Sequence, residues 1–216
     1  MDDEYWASVS ALRLDIADLL ESLTPAEWEA PSLCEGWRVR DVAGHVALVP
    51  TVTTWQMVSV SPRAAFNPHR INTLLARRQG ARPTPAIIST LRANANRRGT
   101  AKVLDSRDAL FDVIVHSQDI AIPLGREFPV PVSAVRDALE RVWSMGWPFH
   151  AKRRFKGVAL RATDSDWAVG SGREIAGDSL TLLLLLTGRT STAVGELHGP
   201  GVAGLQVSGA QQTTER

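Results

Sequence analysis

The chain has 216 residues, 44% of them apolar, and a net charge of +1, enough for one large domain or two small ones with a buried core. Its single cysteine, Cys34, excludes an internal disulfide framework and a cysteine-rich zinc site, and it suits a reducing compartment. The acidic start (Asp2, Asp3, Glu4) is unlike an export signal, and the most apolar run, Leu180 to Leu186, is too short to span a bilayer. The expectation is a soluble, cytoplasmic protein with no membrane partner.

Charge is unevenly placed. Residues 1–36 hold nine acids and one base, Arg13, whereas residues 63–102 hold nine bases and no acid. Two complementary solvated faces, within one chain or across a homodimer, account for this pattern; an anion-attracting rim for an acidic substrate is the functional alternative. Nucleic acid is disfavoured, because no aromatics are interleaved with the bases and no reading motif is present.

Helical spacing of Trp6, Val9, Leu12, Ile16, Leu19, Leu20 and Leu23 predicts a first helix over 3–23. Thr24-Pro25-Ala26-Glu27 carries a cap, a proline at the first helical position and a glutamate three residues after the cap, which predicts a short second helix. A loop over 33–37 leads into a helix starting near Val39, with Val42, His45, Val46 and Val49 on one face and Pro50 kinking it or ending its first part. Residues 61–84, with Pro62, Pro68 and Pro83, read as a long connection holding one helical piece. Thr84-Pro85 opens another helix, and residues 107–121 form the next. Pro123-Leu124-Gly125, followed by Pro129 and Pro131, marks a domain boundary.

Beyond it, a helix is expected over 132–143 and a strand over 157–163. A second short strand at 167–169, an apolar helix at 179–186, a short helix near 193–197 and a strand at 202–207 follow. The division is 1–128, helical, and 129–216, small and α+β.

His45 lies on the apolar stripe of its helix. Asp112 and His116 are four apart, so they share one helix face. A carboxylate and an imidazole one turn apart can grip a single ion, and a second histidine from another helix completes a set that leaves a coordination position open. Spacing alone leaves a satisfied core histidine as the commoner reading.

The run Cys34-Glu35-Gly36-Trp37-Arg38-Val39-Arg40-Asp41, followed by Gly44-His45, resembles the signature that opens the second bundle helix of DinB-like proteins. In particular it resembles that of the mycothiol-dependent enzymes of the maleylpyruvate isomerase type. Residues 112–120 (Asp112-Val113-Ile114-Val115-His116-Ser117-Gln118-Asp119-Ile120) resemble that family's second signature. Ala162-Thr163-Asp164-Ser165-Asp166-Trp167, Gly177, the leucine run and Thr187-Gly188-Arg189 resemble its C-terminal half.

The resemblance implies a four-helix DinB-like bundle with a divalent metal, usually zinc, held by His45, Asp112 and His116, followed by a small α+β domain. It also implies mycothiol as thiol cosubstrate, isomerisation or S-transfer on a small, anionic electrophile, and Arg189 as a catalytic arginine holding a carboxylate; the alternative for Arg189 is a helix-terminal cation. The family often has Glu where this chain has Asp112, which shortens the reach by roughly one carbon–carbon bond, ~1.5 Å.

Cys34 reads as a small packed hydrophobe. Asp119 is either a carboxylate orienting a ligand histidine or a surface residue. Asp41 reads as a first-turn acid, and Trp37 as packing for its loop. His69, His150 and His198 read as surface residues. A metal-dependent hydrolase and a non-catalytic metal-binding stress-response protein are the competing functions.

Overall fold

The structure, a computed structural model, describes residues 3–99 and 105–205. Lys102 and the end of the strand expected at 202–207 lie outside them. The chain separates into two compact units, Met1–Pro129 and Val130–Arg216. Among the described residues no helix is long and apolar enough to cross a membrane.

The first unit is helical: α1 (Asp3–Glu21), α2 (Pro25–Glu29), α3 (Val39–Leu48), α4 (Thr54–Val60), α5 (Pro68–Gly80), α6 (Thr84–Ala93) and α7 (Ala109–Ala121). Helix α1 packs against α6 and α7, and α3 packs against the same two. The four therefore close a ring, which is a four-helix bundle, and α5 lies along α3. The apolar stripe of α1 read from the sequence is the buried one: Val9, Ile16 and Leu20 are fully enclosed. Facing them are Val39 and Val42 of α3, Ile87 and Leu91 of α6, and Ile114 and Ile120 of α7, all likewise enclosed.

The stretch 61–84 holds the one helical piece expected of it, α5. Pro68 occupies the first turn of α5, and the Asn67 side chain caps the helix by accepting from the His69 and Arg70 amides. The acidic and basic segments meet within one chain: Arg92 pairs with Asp18 and Glu21, and Arg98 with Asp3. These pairs are exposed, so each is worth little in stability.

The start of α2 follows the sequence signal closely. The Glu27 amide donates to Thr24 Oγ1, and Glu27 Oε2 accepts from the Thr24 amide at 2.8 Å. The Arg126 guanidinium reaches Glu27 Oε1 at 2.7 Å. The Thr24 amide, then Arg126, then the Thr24 hydroxyl pull the Glu27 carboxyl down to about 2. A depressed carboxyl stabilises the fold above its unfolded pKa, and that contribution is lost as pH falls through about 2. Side-chain NMR titration is expected to find Glu27 still ionised at pH values where exposed glutamates are half protonated. In Thr24→Ala its midpoint is expected to move back towards theirs.

The second unit comprises α8 (Val132–Ser144), α9 (Ala151–Arg154), β1 (Val158–Ala162), β2 (Ala168–Gly170), β3 (Arg173–Gly177), α10 (Ser179–Leu186) and α11 (Thr190–Ala193). The sheet order is β2-β1-β3, with β1 antiparallel to β2 and parallel to β3. Strand β3 is an addition to the sequence reading. Only Ser171 and Gly172 separate it from β2, so the chain passes close under the start of β1. Gly170 and Gly172 both have positive φ, and a Cβ on either would collide with the carbonyl oxygens of Val158 and Gly157.

Helix α10 is apolar nearly all round. It is buried accordingly, between α8, α11 and the sheet. Asp178 caps it by accepting from the Thr181 amide at 2.7 Å. At the end of the chain the expected strand is corrected: residues 202–205 are helical. The apolar alternation there is too short to set a strand without a partner.

Candidate metal centre

Helix α3 is fixed at its start by a buried carboxylate. Asp41, 2% exposed, accepts from the Arg38 amide and from the Arg38 Nε, each at 3.1 Å. His45 follows one turn later on the same face and is 7% exposed. Opposite it, α7 opens after a short 3-10 turn, Ser106–Asp108, and carries Asp112 and His116 one turn apart.

The three residues converge. His45 Nε2 lies 3.4 Å from Asp112 Oδ1, and His116 Nε2 lies 3.5 Å from the same oxygen. The two imidazole centroids are 4.7 Å apart. One ligand atom from each residue lies within 4.8 Å of the other two. These separations are long for hydrogen bonds, which centre near ~2.9 Å. They match a shared ion: two donors each about 2.05 Å from a tetrahedral zinc stand roughly 3.3 Å apart. The donor set of two imidazoles and one carboxylate suits zinc and related divalent ions, so the residues present fit the metal that the resemblance implies. Asp112 reaches both rings despite lacking the extra methylene of glutamate. It is also the most exposed of the three, with a quarter of its side chain accessible, so the cluster meets solvent on that side.

The charges are strongly coupled. Burial pushes the Asp112 carboxyl up, but the His45 and His116 charges overcome this and hold it well below the usual carboxylate range. Burial pushes His116 down, and the Asp112 charge outweighs that. With hydrogen bonds from Asp112, Asp119 and Cys34 added, His116 stands well above its ordinary value.

Three neighbours complete the surroundings. Asp119, fully buried, takes the His116 Nδ1 at 2.8 Å through Oδ2. That contact favours the tautomer with Nδ1 protonated and Nε2 facing Asp112. Of the two readings of Asp119, the surface one is therefore set aside. Cys34 is half-buried, and its thiol donates to Asp119 Oδ2 at 3.0 Å. The reading of Cys34 as a packed hydrophobe is corrected: the loop over 32–37 turns its sulfur towards the carboxylate rather than into an apolar contact.

Trp37 does more than pack its loop. Its ring lies parallel to that of His116 (6.5 Å between centroids, 11°) and edge-on to His45 (5.7 Å), while its indole N–H donates to Thr73 Oγ1. Arg13, the lone base of the acidic segment, is buried in the bundle. It donates to the carbonyls of Ala95 and Arg97, and burial lowers its pKa. No spacing signal marks Arg13. A charge on an otherwise apolar helix stripe was the one available hint.

Arg189 belongs to the second unit. It is half-buried at the N-cap of α11, and its Nη1 donates to the Thr187 carbonyl at 2.7 Å. His69 and His198 are exposed and His150 is half-buried.

Residues 9–110 match the family described as Mycothiol maleylpyruvate isomerase N-terminal domain. The N-terminal unit is thus similar to this family over most of its length. The matched span includes His45 and ends just before Asp112 and His116. Most of the chain shares its fold with solved structures. It superposes on the crystal structure of a histidine-to-alanine mutant of the mycothiol-dependent maleylpyruvate isomerase with a TM-score of 0.63 and 13% identity. For a second crystal structure of the mycothiol-dependent maleylpyruvate isomerase the TM-score is 0.58 at 14% identity. In each case 92% of both chains is covered. No protein of curated function matches the chain in sequence.

Proposed function

We propose that this chain is a cytoplasmic, metal- and thiol-dependent enzyme, with mycothiol as cosubstrate, acting on a small electrophilic substrate by isomerisation or S-transfer. The observation that carries the reading is the spacing of His45 Nε2, Asp112 Oδ1 and His116 Nε2, which is that of ligands around one ion. The similarity of residues 9–110 to the mycothiol maleylpyruvate isomerase N-terminal domain supports the choice of thiol.

His45, Asp112 and His116 would hold a divalent ion, which would supply a Lewis-acid site able to deprotonate, at neutral pH, a thiol with a free pKa near ~8.5. The chain's own residues prepare that site. Asp119 fixes the His116 ring through Nδ1, so that Nε2 offers its lone pair inward. Trp37 lies beside the two imidazoles, parallel to His116 and edge-on to His45. The partial exposure of Asp112 leaves the entry for a thiol. Arg189, by resemblance to the family pattern, is the residue that would hold a carboxylate of the substrate.

The test is isothermal titration of mycothiol into zinc-loaded and chelator-stripped protein. Heat of binding with proton release in the loaded protein, and none in the stripped protein, is the expected result. Equal binding to both forms would remove the thiol-activation reading.

A further inference from the structure

The His116 ring faces donor atoms on both of its edges. Its Nε2 edge looks towards Asp112 and His45. Its Nδ1 edge looks towards a second set: Asp119 Oδ2 at 2.8 Å and Cys34 Sγ at 3.8 Å, with Sγ and Oδ2 3.0 Å apart. These three donor atoms also lie within 4.8 Å of one another. We propose that Cys34, His116 Nδ1 and Asp119 form a second seat for a thiophilic divalent cation such as zinc or cadmium, sharing the His116 ring with the first cluster.

Two physical arguments support the seat. The first is distance. A tetrahedral ion with bonds of about 2.3 Å to sulfur and about 2.05 Å to nitrogen needs its S and N donors roughly 3.6 Å apart. The Sγ–Nδ1 separation already meets this. The two contacts to Oδ2 are hydrogen-bond lengths and must open by about half an ångström, a shift that rotation of the Asp119 carboxylate provides. The second is rigidity and donor type. His116 and Asp119 are three apart on α7, and the Cys34 loop is pinned to that helix by the Leu33 amide on the Asp119 carbonyl at 3.1 Å. The same loop is closed by the Trp37 amide on the Cys34 carbonyl at 2.9 Å. A thiolate, an imidazole and a carboxylate select zinc or cadmium over magnesium or calcium, and the half-buried sulfur leaves the ion a way in.

On binding, the Cys34 thiol proton and the Nδ1 proton pass to solvent. Sulfur, nitrogen and oxygen each donate a pair to the cation, and nothing is oxidised or reduced. The cation replaces the His116–Asp119 hydrogen bond, so a soft metal entering here changes the ring that serves the first cluster. The seat itself does not depend on thiol chemistry at that cluster.

Cadmium ion alone, titrated into chelator-stripped protein, tests the proposal. The expected result is an ultraviolet thiolate-to-cadmium charge-transfer band that saturates at one thiolate per chain. It persists in His45→Ala, which disables the first cluster. It is absent in Cys34→Ser and needs roughly tenfold or more cadmium in Asp119→Asn. In the unmutated chain the same cadmium slows alkylation of Cys34 by iodoacetamide at least tenfold, a readout independent of any variant's folding. Cadmium uptake without the band, an unchanged alkylation rate, or a band of undiminished affinity in Asp119→Asn would each overturn the second seat. Loss of the band in His45→Ala would do so too, by assigning the thiolate to the first cluster.

Discussion

In a Cys34→Ser background, which removes the second seat, His45→Ala and Asp112→Ala are each expected to lose stoichiometric zinc, against one equivalent in the Cys34→Ser parent, when purified protein is examined by elemental analysis. Structural zinc sites contribute about 10–16 kcal/mol in all, so one of three protein ligands carries on the order of 4 kcal/mol, roughly a thousandfold in Kd. The direction of the pH effect follows from the same three groups. In the metal-free chain the raised His116 pKa contributes stability that is full below the unfolded value near ~6.5 and lost as pH rises through the folded value. The depressed Asp112 pKa contributes stability above the unfolded value near ~4 that is lost only as pH falls through the folded one. A cation needs both imidazoles deprotonated, so it stabilises most where the metal-free chain is losing support. The rise in Tm on adding zinc is expected to grow from pH 6 to pH 8 in the Cys34→Ser parent and to vanish in both variants. A Tm response to zinc that is flat with pH, or retained in Asp112→Ala, would refute the ligand set.

The shared helix face of this site could be read from residue spacing because that signal is local, whereas the choice of a metal over a satisfied core histidine came from the family resemblance. Asp112 and His116 share a face on a strongly periodic helix, and His45 interrupts an apolar stripe; such patterns survive without knowledge of the tertiary fold. The cap of α2 is equally local, since Thr24 and Glu27 satisfy each other's amides. What was not legible depends on partners distant in sequence. Cys34 looks like a small hydrophobe until α7 brings Asp119 within 3.0 Å of its sulfur, 85 residues away. Strand β3 has no alternation of its own and is specified by pairing with β1. The bounds of α5 were not legible among Pro62, Pro68 and Pro83, because the role of Pro68 depends on whether a cap precedes it, and Asn67 supplies one.

The same distinction applies to Gly44, whose meaning lies in a helix crossing. It sits beside His45 on α3, and a methyl group there would collide with the Gly80 amide and stand 2.8 Å from the Ala76 carbonyl oxygen. A methyl at Gly80 would in turn stand 2.6 Å from the Arg40 carbonyl oxygen. The paired glycines let the backbones of α3 and α5 approach closely, and the obstructing atoms are main chain, which cannot rotate aside. Gly44→Ala is therefore expected to destabilise the chain by about 3 kcal/mol, the upper part of the usual range for overpacking, despite alanine's better helix propensity. It also displaces α3 next to its metal ligand, so zinc affinity should fall in the same variant while the helical circular dichroism signal is kept. Gly195→Ala is the control. A Cβ there meets nothing within 4 Å, so urea unfolding should leave its midpoint within a few tenths of a kcal/mol of wild type. If Gly44→Ala unfolds at the same urea concentration as Gly195→Ala, the crossing is looser than these distances require. Positioning of His45 must then be assigned to the Arg38–Asp41 cap at the start of α3 rather than to its contact with α5.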